Sequence, residues 1–154
     1  DTPRCYDWLF HPHADAKNFR IRQTFRAGDP GRLPGKKWFS RFRRAAVRDD
    51  WCATWRIGPT SARLTMIGAP RTTLWQCDYP GGDKDAHRSR PMLMARRRSC
   101  RTVFVAVYQA GPSLPRPPVI TVVETEDAVR VTVKVGHVCR DHLIPFLATV
   151  RRGH

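Results

Sequence analysis

An alternating run of valines constrains the fold more than any other feature of this sequence. In Ala128–Val135, valine stands at every second position and arginine, threonine and lysine stand between the valines. Successive side chains of a strand point to opposite faces, so this run places one face on a core and the other in water. No stretch of the sequence carries the long i, i+3, i+4, i+7 apolar stripe of an amphipathic helix. The sequence therefore predicts an all-β fold.

Short apolar segments separated by turn residues recur along the whole chain. We predict strands at residues 5–10, 19–25, 51–57, 62–67, 72–77, 91–96, 102–108, 119–123, 128–135 and 143–150. About ten short strands with regularly spaced turns favour an antiparallel two-layer β-sandwich. The nearly continuous apolar segment 102–108 is predicted to be its central and deepest strand. The basic segment 36–48 fits a short helix and a loop equally well.

The length of the chain suits a single domain, 1–154, because about 150 residues can bury a sizeable core. The sequence begins at Asp1 without an initiator methionine, so we expect a fragment or the C-terminal domain of a larger protein. Its longest apolar runs are far shorter than the roughly 20 residues that cross a bilayer, and no membrane partner is expected.

The charge of the chain is strongly positive. It has 28 lysines and arginines against 13 acidic residues, a formal charge of +15. Such a balance favours nucleic acid, anionic lipid or acidic polysaccharide as a partner. Arginine supplies most of the charge, and a GC-rich coding sequence is an alternative explanation of that excess.

The cysteines indicate neither zinc nor redox chemistry, because no CxxC pair occurs. They are Cys5, Cys52, Cys77, Cys100 and Cys139. We interpret them as small buried or half-buried residues in strands. One or two disulfides are the alternative if the protein is exported.

Patterns in a fixed order resemble the C-terminal β-sandwich of the heparinase II/III-like polysaccharide lyases. They are the Tyr-Asp-Trp-Leu-Phe-His run at 6–11, the tryptophan strand 51–56 followed by 62–68, the arginine-ended segment 90–97 leading into 102–108, and the valine strand 128–135. The order carries more weight than any single pattern, since each could recur in another sandwich.

The resemblance implies β-elimination on a uronic-acid polysaccharide, in which a base removes the C5 proton and a cation neutralises the adjacent carboxylate. In the family most of those groups lie on an α/α toroid, for which this sequence has no helical repeat. We therefore expect an accessory domain that is catalytically incomplete alone. A periplasmic or secreted location is likewise implied by the resemblance.

The stretch from His11 to Asp15 resembles the family's HxHxD motif, in which one histidine serves the reaction and the next binds zinc. The resemblance implies a catalytic role for His11 and metal binding by His13 and Asp15. On a strand these alternate residues would face one way and could converge on zinc. The alternative is a solvated strand end or loop, because no other histidine has the spacing to complete the ligand set.

Arginines near residue 97 are candidates for substrate binding. Arg96 and Arg97 could form a basic ridge that binds the carboxylates or sulfates of an acidic polysaccharide in bidentate fashion. The alternative is a solvated hairpin. The aromatic and basic residues of 36–44 resemble the interleaving of nucleic-acid binders, but no known nucleic-acid motif accompanies them.

Two further clusters predict no chemistry. The acidic residues Glu124, Glu126 and Asp127 are expected at a solvated hairpin tip. Cys139 between His137 and His142 is expected in a strand pair joined by a polar turn. The sequence thus favours the accessory sandwich of a heparinase II/III-like lyase, with a free-standing anionic-glycan-binding module and a basic nucleic-acid-binding β domain as alternatives.

Overall fold

The computed structural model describes residues 2–12, 14–31, 36–80 and 89–146. These residues form strands β1 (Arg4–Phe10), β2 (Arg20–Ile21), β3 (Arg26–Ala27), β4 (Ser40–Val47), β5 (Trp51–Ile57), β6 (Thr60–Met66), β7 (Thr72–Pro80), β8 (Ser89–Ser99), β9 (Ala106–Gly111), β10 (Val119–Glu124), β11 (Ala128–Val135) and β12 (Val138–Pro145). Their only helices are the 3-10 turns Ala16–Asn18 and Lys36–Trp38, and neither could span a membrane.

The chain divides into two compact units, residues 1–114 and 115–154. In the first unit, sheet A has the strand order β1-β8-β7-β4-β3 and sheet B the order β2-β5-β6-β9. Every pair of neighbours in both sheets is antiparallel. The predicted all-β, sandwich-type fold is confirmed. The prediction of a single domain stays a prediction.

The main core of the first unit lies between sheets A and B. Alternation on β5 turns Trp51, Ala53 and Trp55 inward, while Leu74 and Leu93 face them from β7 and β8. All five side chains are at most 3% exposed. Burial of large side chains of this kind contributes about 1.5–3 kcal/mol each, which makes this interface the main stabilising element of the unit.

Sheet A also carries a second apolar cluster on its other face. Trp75, Cys77, Met92 and Met94 form it, and Phe39, Phe42 and Tyr79 pack against it. Trp75 follows Leu74 directly in β7, so consecutive residues of this strand belong to different clusters. Sheet A is therefore apolar on both faces.

The second unit contains sheet C, with the strand order β10-β11-β12. Val129 and Val131 are buried while Arg130 is exposed, which confirms the alternation predicted for β11. A two-residue turn at Gly136 (φ 58°) joins β11 to β12, so the predicted strand pair is present. The turn is shorter than predicted, because β12 begins at Val138 and Cys139 lies in this strand rather than in the turn. The acidic tip between β10 and β11 is exposed as predicted, and the Thr125 hydroxyl hydrogen-bonds the Asp127 carboxylate there (2.9 Å).

The prediction for 102–108 was wrong. Its residues from Val103 to Val105 are half-exposed and lie outside any strand, and β9 begins only at Ala106. β9 lies at the edge of sheet B rather than at its centre. Apolar composition alone does not distinguish a central strand from an irregular segment that a buried side chain holds in place. Residues 103–105 are of the second kind, because the buried Arg97 hydrogen-bonds the Val103 carbonyl.

Several strand limits also differ from prediction. Segment 19–25 contains only the two-residue strand β2, and β3 begins after it at Arg26. Segment 36–48 contains a 3-10 turn and then β4, whose pairing with β7 shifts register between Ser40 and Arg43. Of the predicted strand 143–150, residues 143–145 belong to β12, and 147–150 lie outside the described residues.

Candidate anion-binding pocket

An open pocket of about 400 Å³ lies against sheet B, within the first unit. Its lining residues are Lys17, Asn18, Arg20, Thr54, Trp55, Arg56, Ser61 and Leu114. These come from the first 3-10 turn, β2, the β5–β6 hairpin and the end of the unit. We call it the basic pocket, because three of these side chains are cationic.

The β5–β6 hairpin supplies one wall of the basic pocket. In β5 the core takes Trp51, Ala53 and Trp55, which leaves Thr54 and Arg56 on the opposite face. Ser61 stands directly opposite Arg56, so the two side chains share that face. Gly58 in the connecting turn has φ 58°, a conformation that glycine adopts without steric cost.

The first 3-10 turn supplies the other wall. Its backbone is closed by a hydrogen bond from the Asn18 amide to the Asp15 carbonyl (2.9 Å). Phe19, which follows it, is 5% exposed and packs near Trp55, with 6.3 Å between ring centroids. Burial of this ring anchors the turn against the core and fixes where Lys17 and Asn18 stand.

Arg20 is oriented by the same turn. Its Nη1 donates to the carbonyl oxygens of Lys17 (2.6 Å) and Phe19 (3.0 Å). These bonds hold the Arg20 guanidinium beside the pocket. Because the side chain is already ordered, it loses less conformational entropy when an anion binds. Lys17 and Arg56 are exposed and form no ion pair with another described residue.

The basic pocket is suited to binding rather than to acid–base chemistry. Its cations offer charge-assisted hydrogen bonds to carboxylate, sulfate or phosphate oxygens. Thr54, Ser61 and Asn18 add hydroxyl and amide groups of the kind that bind sugar hydroxyls. Among the described residues that line it there is no carboxylate, histidine or thiol to serve as a base near neutral pH.

A second, smaller pocket adjoins the first. It measures about 190 Å³ and shares Asn18 and Arg56 with the basic pocket. Asp15 and Arg90 also line it, so its charge is mixed. Asn18 and Arg56 thus border both pockets.

The predicted metal site stays a prediction, although His11 and Asp15 do not lie on the strand that the sequence suggested. β1 ends at Phe10, and a hydrogen bond from the Ala14 amide to the Pro12 carbonyl (2.8 Å) turns the backbone after it. His11 and Asp15 therefore do not alternate along a strand. His13 lies outside the described residues, among which no group of three histidine, cysteine, aspartate or glutamate side chains is placed to hold a metal.

His11 and Asp15 have separate surroundings. The imidazole of His11 meets the ring of Tyr79 edge to face, with 5.0 Å between centroids, and partial burial lowers the pKa of His11 below its ordinary value. Asp15 instead lines the smaller pocket. The structure offers His11 no contact with Asp15 that would make the two a catalytic pair.

The predicted arginine ridge is divided between two faces of β8. Arg96 faces away from the core and pairs with Asp7, and this hydrogen-bonded ion pair raises the pKa of Arg96. Arg97, the next residue, points inward and is 4% exposed. The two guanidinium groups therefore do not form one surface, and Arg97 is not accessible to a polysaccharide.

Arg97 instead ties together three segments of the first unit. Its Nε donates to the Thr72 hydroxyl (3.1 Å), its Nη1 to the Val103 carbonyl (2.6 Å) and its Nη2 to the Ile67 carbonyl (2.8 Å). The guanidinium carbon also lies 4.5 Å from the centroid of the Phe104 ring, within cation–π range. Arg97 thus holds the segment that the sequence had suggested was a central strand.

Two cations of the segment 36–44 have partners within the protein. Arg41 pairs with the buried Asp78, while the Lys37 ammonium lies 5.1 Å from the centroid of the Trp38 ring. Phe42 packs against Trp75 in the second apolar cluster rather than interleaving with the cations. These contacts within the protein account for the pairing of aromatic and basic residues in the segment 36–44.

Sequence reasoning missed Lys17, Arg20 and Arg56 as site residues. The alternation of β5 did carry a signal for Thr54 and Arg56, since the tryptophans at 51 and 55 fix which face is buried. No local pattern indicated that the turn Ala16–Asn18 folds against the same hairpin. That proximity depends on tertiary packing of Phe19.

The chain matches no family model, and no curated protein matches it. The resemblance to heparinase II/III-like lyases therefore contributes to the function only as a proposal.

Proposed function

We propose that this chain is a β-sandwich that binds acidic polysaccharides, the accessory role implied by its resemblance to the C-terminal sandwich of heparinase II/III-like lyases. The observation that carries the proposal is the clustering of Lys17, Arg20 and Arg56 around one open pocket. Carboxylate and sulfate groups of an acidic glycan are ligands of suitable charge for such a pocket. The accompanying hydroxyl and amide side chains suit a sugar better than a bare anion.

The shape of the site supports a glycan over nucleic acid. Base-stacking proteins present exposed aromatic rings along a basic groove. Trp55, the aromatic residue of this pocket, is only 3% exposed and packs into the core. Nucleic-acid binding therefore remains the less favoured alternative.

The chemistry of the lining supports binding without cleavage. β-elimination needs a base beside the C5 proton as well as a cation beside the carboxylate. The basic pocket offers cations, and its described lining offers no such base. In the proposed role the base would belong to an α/α toroid domain.

Calorimetry with heparin, alginate and DNA at several salt concentrations tests the proposal. We expect acidic glycans to bind, and the Lys17→Ala/Arg56→Ala double variant to lose about tenfold or more in affinity, which corresponds to ~1.4 kcal/mol. The matched control is Arg98→Ala/Arg130→Ala, which removes equal charge from exposed positions outside the pocket.

Two results would contradict the proposal. Equal loss in both double variants would indicate a non-specific charge effect. Binding to DNA without binding to either glycan would favour the nucleic-acid alternative. Incubation with the same glycans, followed by ultraviolet absorbance, tests catalytic incompleteness, since absorbance from unsaturated ends would show an intact lyase site.

A further inference from the structure

Two arginines stand directly opposite each other at the β3 end of sheet A. Arg26 of β3 pairs with Arg44 of β4, and both side chains are exposed. Directly opposed residues of antiparallel strands project from the same face, with their Cβ atoms about 5 Å apart. Like charges in this arrangement destabilise the strand pair. An anion held between the two guanidinium groups would remove their repulsion.

The described part of the chain supplies no such anion to these two arginines. Neither guanidinium forms an ion pair or a hydrogen bond with another described residue. Other arginines of sheet A differ in this respect, since Arg41 pairs with Asp78 and Arg96 pairs with Asp7. The charges of Arg26 and Arg44 are therefore left for a ligand.

An open pocket of about 460 Å³ adjoins the pair. Its described lining residues, which define what we call the edge pocket, are Thr24, Arg26, Arg44, Ala45, Ala46 and Thr73. The two threonines add hydroxyl donors, and no carboxylate is among these lining residues. The edge pocket shares no lining residue with the basic pocket.

Packing orders the stem of Arg44. This residue stands opposite Trp75 of β7. A Cβ added at Gly28 would lie 2.9 Å from Trp75 Cζ3 and 3.0 Å from Arg44 Cγ, so the arginine stem lies beside the glycine and the indole. An ordered stem loses less conformational entropy when the guanidinium binds a ligand.

We propose that the edge pocket binds a doubly charged tetrahedral oxyanion, either a phosphate or sulfate ion or a terminal phosphate monoester. Two negative charges match the two guanidinium groups, whereas a carboxylate would neutralise only one. Guanidinium groups bind such oxygens through charge-assisted and often bidentate hydrogen bonds. This site goes beyond the proposed function, because it uses none of the cations of the basic pocket.

Calorimetric titration tests the proposal with phosphate, sulfate and glycerol phosphate, and with acetate as the singly charged control. Each is titrated into the intact chain and into Lys17→Ala/Arg56→Ala, which separates this site from the basic pocket. We expect the three dianions to bind in both, with acetate about tenfold weaker or more.

Substitutions at the pair locate the binding. Arg26→Gln and Arg44→Gln should each weaken phosphate binding about tenfold or more. The matched control is Arg43→Gln, which removes the same charge from the opposite face of β4 and lies outside the edge pocket. It should leave phosphate affinity within about twofold.

Thermal unfolding provides a second readout. Without a dianion, Arg26→Gln should melt at a higher temperature than Arg43→Gln, because it alone removes the opposed charge. Millimolar phosphate should raise the midpoint of the intact chain and of Arg43→Gln by roughly 3 °C and leave that of Arg26→Gln unchanged. The low concentration keeps the general stabilising effect of phosphate salts small.

The outcomes separate this inference from the proposed function. Equal loss of phosphate affinity in Arg26→Gln and Arg43→Gln would indicate diffuse attraction and overturn the inference. Phosphate binding that is lost in Lys17→Ala/Arg56→Ala and kept in Arg26→Gln would assign the ion to the basic pocket, and the inference would again be wrong. If none of the three dianions binds, the edge pocket is not a site, whereas failure of acidic glycans to bind overturns only the proposed function. Circular dichroism identifies any variant that fails to fold, and Arg44→Gln then provides the second test of the pair.

Discussion

Asp7 and Arg96 stand directly opposite each other on β1 and β8 and form a two-bonded ion pair. Arg96 Nε donates to Asp7 Oδ1 and Nη2 to Asp7 Oδ2, both at 2.6 Å. Their side chains are 23–25% exposed, so water screens the pair only in part. The pair joins β1, an edge strand among the described strands of sheet A, to its neighbour.

This ion pair should make a modest contribution to the free energy of unfolding. A double-mutant cycle with Asp7→Ala and Arg96→Ala is expected to give a coupling of about 1 kcal/mol, because a bidentate geometry exceeds most surface pairs. Denaturant unfolding measures it, and high salt should reduce it. A coupling near zero at low salt would mean that the pair does not stabilise the strand.

Removing Arg97 should destabilise the first unit far more than removing its neighbour. Arg97→Met deletes hydrogen bonds to the Val103 and Ile67 carbonyls, and we expect a loss of about 2–3 kcal/mol in the free energy of unfolding. Arg98→Met at an exposed position is the matched control and should change it by less than about 0.5 kcal/mol. Similar losses in the two variants would contradict the role assigned to Arg97.

Gly68 should not tolerate a side chain. Its amide donates to Asp50 Oδ1 (2.9 Å), and a Cβ there would overlap the backbone of Arg48 and Asp49. We expect Gly68→Ala to cost about 2 kcal/mol, since backbone atoms must move. In the control Gly111→Ala, the Cβ would meet the Ser113 carbonyl oxygen at 3.3 Å and should cost clearly less. Thermal unfolding of both variants compares them.

Cys77 should be the least reactive thiol of the native protein. Burial, with the nearby Asp78 charge second, raises the pKa of Cys77 to about 12, so the reactive thiolate is scarce at pH 8. Cys5, Cys100 and Cys139 are exposed, so the predicted burial of the cysteines was wrong for these three. A maleimide pulse analysed by mass spectrometry should label these three first and Cys77 only after denaturant is added. Early labelling of Cys77 would show that the second cluster opens readily.

The same thiol should reduce stability at alkaline pH. Because the pKa is about 12 in the folded protein and 9.0 ordinarily, the folded state holds this proton more tightly than the unfolded state. Stability from this group is full below pH 9 and is lost as pH rises from 9 towards 12. Denaturant unfolding at several pH values should give a shallower loss in Cys77→Ala than in the unsubstituted chain. Equal slopes would mean that Cys77 does not titrate in this window.

The strands were predictable where one face is buried and the other is not. β5 and β11 occur at the predicted limits, because tryptophan or valine alternates with polar residues in each. The strand predicted at 102–108 was wrong for the opposite reason, because its nearly continuous apolar character marks neither face as buried. The start of this segment is positioned by hydrogen bonds from Arg97, five residues before Thr102. A buried cation in the preceding strand leaves no trace in the composition of the segment it holds.

The candidate site was less predictable than the fold. Arg96 and Arg97 looked equivalent in the sequence, yet strand alternation sends one to Asp7 and the other into the core. Lys17 and Arg56 are 39 positions apart and meet only because Phe19 packs near Trp55.

The two apolar faces of sheet A restrict how β7 can change during evolution. Leu74 belongs to the main core and Trp75 to the second cluster, so a polar substitution at either residue removes packing from one of the two clusters. An ordinary surface strand can vary at every second position, whereas the middle of β7 cannot. We therefore expect related sequences to retain apolar residues at both positions of this pair long after the exposed cations of the basic pocket have diverged.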